Sequence, residues 1–350
     1  MKSGFKITFI SSNATKFMLF LLAFWIGSMF VRDLIWVVLD SMGRSAEIFR
    51  SPWAIIGQQL FGLLLPLFIW LAFKREKFAA HMPNRPLGLV NIAIIILLSF
   101  LFQPGMMLVS GILSLFFTND VAAMVGTMTV HPWWLLILAV AVTPGIVEEL
   151  VFRGYIQSAT PGRKFAKVAI LNGFLFGIMH LSPHQFLYTF LLGVIFAYMV
   201  YITKSIWAGI ISHFIVNASQ VSFMYFTMRG VEDVGDVLDT PLTFAQEMYN
   251  SVVDIDPEMA QRLYDMLYGV RVEIVAIIAV GFFAMFTVPA AAGIFYWFVV
   301  HNRKRAALLA PPKVEAVAED TALPRTFNID LCLVATICVY VGFLIMLSLL

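Results

Sequence analysis

Runs of about 20 apolar residues recur along the whole chain, and each has the length a helix needs to cross a bilayer. Nine stand out, at about 17–39, 53–73, 88–117, 132–157, 165–181, 184–203, 205–227, 272–300 and 329–350. In hydrocarbon the backbone must satisfy its own polar groups, so these runs predict an all-α fold: a polytopic transmembrane bundle of about eight or nine membrane helices. Composition points the same way, with 61% of the 350 residues hydrophobic and only 13% charged. Soluble domains carry roughly 25% charge. The net charge is +2 and no basic cluster is interleaved with aromatics, so the expected surroundings are the lipid bilayer and not nucleic acid. The two cysteines, Cys332 and Cys338, are six residues apart in the last apolar run. On a helix they point in different directions, which predicts packing or lipid contact and no disulfide.

Lys and Arg set the expected orientation. Lys2, Lys6 and Lys16, then Lys74, Arg75, Lys77 and Arg85, then Arg163, Lys164, Lys167 and Lys204, and finally Arg303, Lys304 and Arg305 fall in alternate connections. Loops 118–131 and 181–184 carry no Lys or Arg. This bias puts the N-terminus in the cytoplasm, with the first run read as a retained signal anchor. With nine crossings the C-terminus lies outside; Arg44 and Arg50 dissent. In a prokaryote the membrane would be the plasma (inner) membrane. The expected organisation is N-terminal membrane helices over 1–131, a polar core region over 132–227, an acidic extracytoplasmic loop over 228–271, a membrane helix over 272–300, a cytoplasmic linker over 301–328 and a last helix over 329–350. Pro104-Gly105 predicts a kink or split in the third run.

Ionisable residues at membrane depth are costly, so each needs a reason. Glu149 and Arg153 are four apart with the acid first, the favoured helical ion pair. Glu148 is turned about 100° away on the same helix. It cannot share that arginine in the same way, and is the candidate general base. His180 closes the fifth run, and His184 follows across Pro183, which breaks any helical metal clip. His213 and Asn217 share one face of the seventh run, with Ser212 turned aside. At 1.5 Å per residue, Glu148 lies roughly 13 Å, His213 roughly 12 Å and His180 roughly 22 Å from the cytoplasmic ends of their runs. If the fifth run starts below the surface, the three converge. Two readings then stay open: a carboxylate and histidine activating water beside an oxyanion donor, or a divalent metal such as zinc held through Glu148, His180 and His213. No HExxH sequence is present.

Glu148-Glu149-x-x-x-Arg153, Phe176-x-x-x-His180 and His213-x-x-x-Asn217, in this order on successive runs, resemble the motifs of the CAAX protease and bacteriocin-processing (CPBP, or Abi) family, which includes the type II CAAX prenyl endopeptidases. Lys204-Ser205-Ile206-Trp207-Ala208-Gly209-Ile210, leading to His213, is similar as well. The resemblance spans about 135–225. It implies an intramembrane endopeptidase acting on a membrane-associated or lipid-modified peptide or protein. It gives Glu148, His180, His213 and Asn217 catalytic roles, and makes Glu149, Arg153 and Phe176 supporting residues. The family's metal dependence is carried over as an option only. Two other classes compete: a non-catalytic membrane scaffold of the same fold, and a proton-coupled transporter, against which the absence of internal repeats counts.

Overall fold

The computed structural model describes residues 6–10, 12–43, 51–160, 165–228, 244–268, 272–308 and 326–349. The dissenting Arg44 and Arg50, the basic Arg163 and Lys164, the acidic stretch 229–243 and most of the 301–328 linker lie outside the described residues. In chain order the long elements are α1 (Asn13–Ser41), α2 (Pro52–Lys74), α3 (Leu89–Ser114), the short α4 (Asp120–Thr127), α5 (Trp133–Ile156), α6 (Phe165–Met179), α7 (Pro183–Thr203) and α8 (Ile206–Met228). The acidic α9 (Phe244–Val252) and α10 (Pro257–Leu267) follow, then α11 (Val272–Leu308) and α12 (Leu331–Leu349).

Among the described residues eight helices are long and apolar enough to cross a membrane, and α6 is a shorter apolar one, so each of the nine expected runs is a helix. The bundle is all-α apart from one short parallel pair, β1 (Lys6–Ile10) with β2 (Thr326–Asp330), in register Lys6 to Thr326. This pairing corrects the expectation of linker up to 328. Loop 118–131 also departs from expectation, because Asn119 caps α4 by accepting from the Ala122 amide at 3.1 Å. Cys332 and Cys338 are free, as expected.

Proline sets where the long helices deviate. α3 breaks at Phe102 between Leu89–Leu101 and Gln103–Ser114, with Pro104 in the first turn of the second piece. α2 and α5 each carry a π-helical turn just before a proline: Leu60–Leu64 before Pro66, and Leu138–Val142 before Pro144. A proline removes the amide that would bond the carbonyl four residues back. For Pro144 that carbonyl belongs to Val140, and a neighbouring helix supplies its donor, as described below. A second π-helical stretch, Leu150–Ile156, ends α5. Such widened turns concentrate at functional sites.

One continuous core joins the N-terminal half of α1 (Phe17, Leu21), the C-terminal half of α2 (Leu67, Leu71) and the end of α5 (Phe152, Tyr155). That end of the bundle carries the basic loops, and the Arg85 amide donates to the Lys204 carbonyl at 2.9 Å there, tying two of them together. α6 and α7 approach closely through glycine. A Cβ on Gly193 would lie 2.7 Å from the Gly173 Cα, so neither position tolerates a side chain. Tethers fix the outer helices. Thr15 Oγ1 donates to Asp330 at 2.8 Å and binds α12 to α1, while Asn91 and Asn302 exchange amide hydrogen bonds at 2.9 and 3.0 Å between α3 and α11.

The asparagine pair is buried, so removing one member strands the other. Asn302→Leu should destabilise the protein by about 1–3 kcal/mol. Asn91→Leu/Asn302→Leu, which removes both amides, should recover most of that loss. Thermal unfolding in detergent micelles reads both, and a double variant weaker than the single would contradict this role.

Candidate active site

α5 brings both glutamates into the interior. Glu149 is fully buried and Glu148 is 9% exposed. They part as their helical angle requires. Glu149 Oε1 accepts from Arg153 Nη1 at 2.7 Å, one turn on, in a pair with neither side chain exposed. The same oxygen accepts from His213 Nδ1 at 3.0 Å, reaching in from α8. The carboxylate therefore joins two helices rather than one ion pair. It fits because position 209 is glycine, since a Cβ there would fall on the Glu149 carboxylate. Arg153 also donates to the Gly193 carbonyl of α7 at 3.3 Å, and its guanidinium lies 4.3 Å from the centre of the Phe176 ring. Phe196 flanks it at 5.4 Å.

Glu148 points elsewhere. Its Oε1 accepts from Gln59 Nε2 of α2 at 2.7 Å. Its Oε2 is buried with no hydrogen-bond partner, and lies 3.9 Å from His213 Nε2. His180, at the end of α6, holds its Nδ1 2.8 Å from the Phe176 carbonyl. A carbonyl only accepts, so Nδ1 carries the proton in the neutral ring and Nε2 keeps its lone pair. The chain turns directly after it: Leu181 adopts φ 52, a left-handed conformation that closes the helix beside His180. Glu148 and His213 lie within electrostatic reach of His180. Phe176 contacts both imidazoles, edge-on, at 4.8 and 5.9 Å between ring centres.

Asn217 Nδ2 donates to the Val140 carbonyl at 2.9 Å, the carbonyl that Pro144 leaves without its helical partner. One of its two amide hydrogens is thus occupied and the second remains to donate. Glu148, Phe176, His180, His213 and Asn217 all border one cavity of about 1480 Å³. The four candidate catalytic residues therefore come together, and the deep position expected of His180 does not keep it away. Ser212 turns aside to Ser99 at 2.7 Å. His184 bonds Ser114 at 2.9 Å on α3, away from this cluster.

Sequence reasoning misses Gln59 and the Gly193 carbonyl, and it names Gly209 in the Lys204–Ile210 stretch without its contact to Glu149. Gln58-Gln59, a polar pair inside an apolar run, is the signal that could have found the first. Glu148, His180 and His213 carry the donor atoms that a divalent ion such as zinc takes, but no three His, Cys, Asp or Glu side chains among the described residues are grouped so as to hold a metal.

With this geometry in view, comparison with known proteins adds a family. Residues 130–219 match the family described as type II CAAX prenyl endopeptidase Rce1-like. The match covers α5 to most of α8, the helices that carry the two glutamates, both histidines and Asn217. No curated protein matches, and no solved structure matches. The chain carries an Rce1-like core. That likeness covers about a quarter of the chain and is to a peptidase family, and the eight long apolar helices around it are those of a multi-pass membrane protein.

Removing Arg153 would leave the Glu149 carboxylate buried with its main counter-charge gone. Arg153→Met should cost about 3–5 kcal/mol, the range for breaking a buried pair by deleting one partner. Arg153→Met/Glu149→Leu should lose less than Arg153→Met alone. Unfolding of the purified variants in detergent checks both, and a double variant that loses as much as Arg153→Met or more would contradict this pairing.

Proposed function

We propose that the protein is an intramembrane endopeptidase in which Glu148 and His180 activate a water molecule against a peptide bond. The observation that carries this reading is the buried, unpartnered Oε2 of Glu148 in a cavity that also receives His180 and His213. A carboxylate oxygen with no protein donor in such a place is where a water proton would go. Gln59 holds the other oxygen and fixes the direction of the first.

The step balances without further reactants. Water bridges Glu148 Oε2 and the bare Nε2 of His180, and its oxygen adds to the scissile carbonyl carbon. Glu148 takes the released proton. The carbonyl oxygen, now negative, accepts from the second amide hydrogen of Asn217 and from His213 Nε2 when that nitrogen carries a proton. Collapse breaks the C–N bond as Glu148 returns its proton to the leaving amine. Glu149 and Arg153 act through His213: the carboxylate holds Nδ1 and so keeps Nε2 aimed at Glu148, as the acid of a hydrolytic triad orients its histidine. No step is routed through a metal. The site and the resemblance support as substrate a peptide in or at the membrane, lipid-modified or not.

Glu148→Gln keeps the bond geometry with Gln59 but cannot take a proton. It should lower kcat by about 10²–10⁴-fold, the usual contribution of a general base. His180→Ala should fall into the same range, with monodisperse folded protein in both cases. Cleavage of a fluorogenic peptide in detergent micelles reads this. Full activity in either variant would contradict the roles given, and substrate-dependent proton flux in proteoliposomes would favour a transporter instead.

A further inference from the structure

Among the described residues, the lining of the cavity that holds the site runs from the catalytic groups to one end of the bundle, and the helices show which. Its outer walls include Trp36, near the C-terminal end of α1, and Trp53, at the start of α2. Met124 of α4, His131 just before α5, Gln185 at the start of α7 and Met224 near the end of α8 complete them. In an up-and-down bundle these six positions all lie at the same end. The other end holds Lys74 at the end of α2, Lys167 at the start of α6 and Lys204 at the end of α7. Phe17, Leu67, Phe152 and Tyr155 are fully buried between the catalytic groups and the basic loops. The cavity is thus a well whose floor is the site and whose mouth faces away from the basic loops.

We infer that the protein takes its peptide substrate from the extracytoplasmic side. The charge bias assigns the basic end to the cytoplasm, which leaves the mouth outside. The dimensions suit a peptide, since about 1480 Å³ exceeds the roughly 300–1,000 Å³ of a small-ligand pocket. So does the gradient in chemistry. The Arg32–Asp33 ion pair, at 2.7 Å, borders the well near its mouth, where the entering segment leaves water. Deeper, Trp25, Tyr188 and Phe196 offer apolar and aromatic walls. An extended extracytoplasmic segment of a polypeptide is the occupant that matches.

The inference rests on the hydrolytic reading of the site for what enters, but the side of entry can be tested without hydrolysis. In a Cys332→Ser/Cys338→Ser background, single cysteines are placed at Thr127→Cys, Gln185→Cys and Val216→Cys, in order of depth, with Lys77→Cys as the reference in a basic loop. Sealed membrane vesicles of known orientation are treated with a membrane-impermeant, negatively charged thiosulfonate. The three cavity positions should react from the face opposite Lys77→Cys, at rates falling at least tenfold from Thr127→Cys to Val216→Cys. Labelling of Gln185→Cys and Val216→Cys from the Lys77→Cys face, from both faces, or from neither would overturn the proposal. Loss of activity in Glu148→Gln tests the hydrolytic reading alone, so failure of one is not failure of the other.

Discussion

The structure turns on one buried carboxylate. Glu149 is held by Arg153 from its own helix and by Nδ1 of His213 from α8, all three within the interior of a membrane bundle. A charge in such surroundings is tolerated only when it is paired and hydrogen-bonded, so the arrangement is fixed by the cost of disturbing it. Arg153 extends the network to the Gly193 carbonyl of α7 and lies between two phenylalanine rings. Three helices are thereby locked in one register. The neighbouring Glu148 takes no part in the Arg153 pair; it borders the cavity, with Gln59 on one oxygen and no hydrogen-bond partner on the other.

Other features fall into place around that lock. The close approach of α6 and α7 through Gly173 and Gly193 carries Phe176 and His180 to it. Pro144 frees a carbonyl that fixes the side chain of Asn217, converting a helix defect into a positioning device. Gln59 joins α2 to the same cluster, so a segment outside the Rce1-like match contributes to the site. The cavity runs from this cluster away from the basic loops, while Phe17, Leu67, Phe152 and Tyr155 are packed on the cluster's other side.

Much of this is legible in the sequence. Apolar runs are visible one segment at a time because each helix satisfies its own backbone, and all nine appear as helices. The different fates of Glu148 and Glu149 follow from their angular separation and from Arg153 four residues on. The shared use of Glu149 by His213 does not, because it depends on how α8 packs on α5. What Gln59 and Gly209 touch stays hidden for the same reason, because it is a contact across helices, even though a polar pair in an apolar run marks Gln59 and Gly209 lies in a stretch that carries the resemblance. Asn217 is half legible. Its spacing from His213 places both on the cavity, but its bond to Val140 needs the kink at Pro144 to be seen in three dimensions.

The central claim is that this buried cluster cuts peptide bonds, and a comparison of peptide termini in membranes tests it most directly. Membranes from cells producing the wild-type protein or Glu148→Gln at equal levels are analysed by mass spectrometry for new N-termini. The account predicts a defined set of cleavage products that is present with the wild type and absent with Glu148→Gln. Identical sets in the two membranes would contradict it.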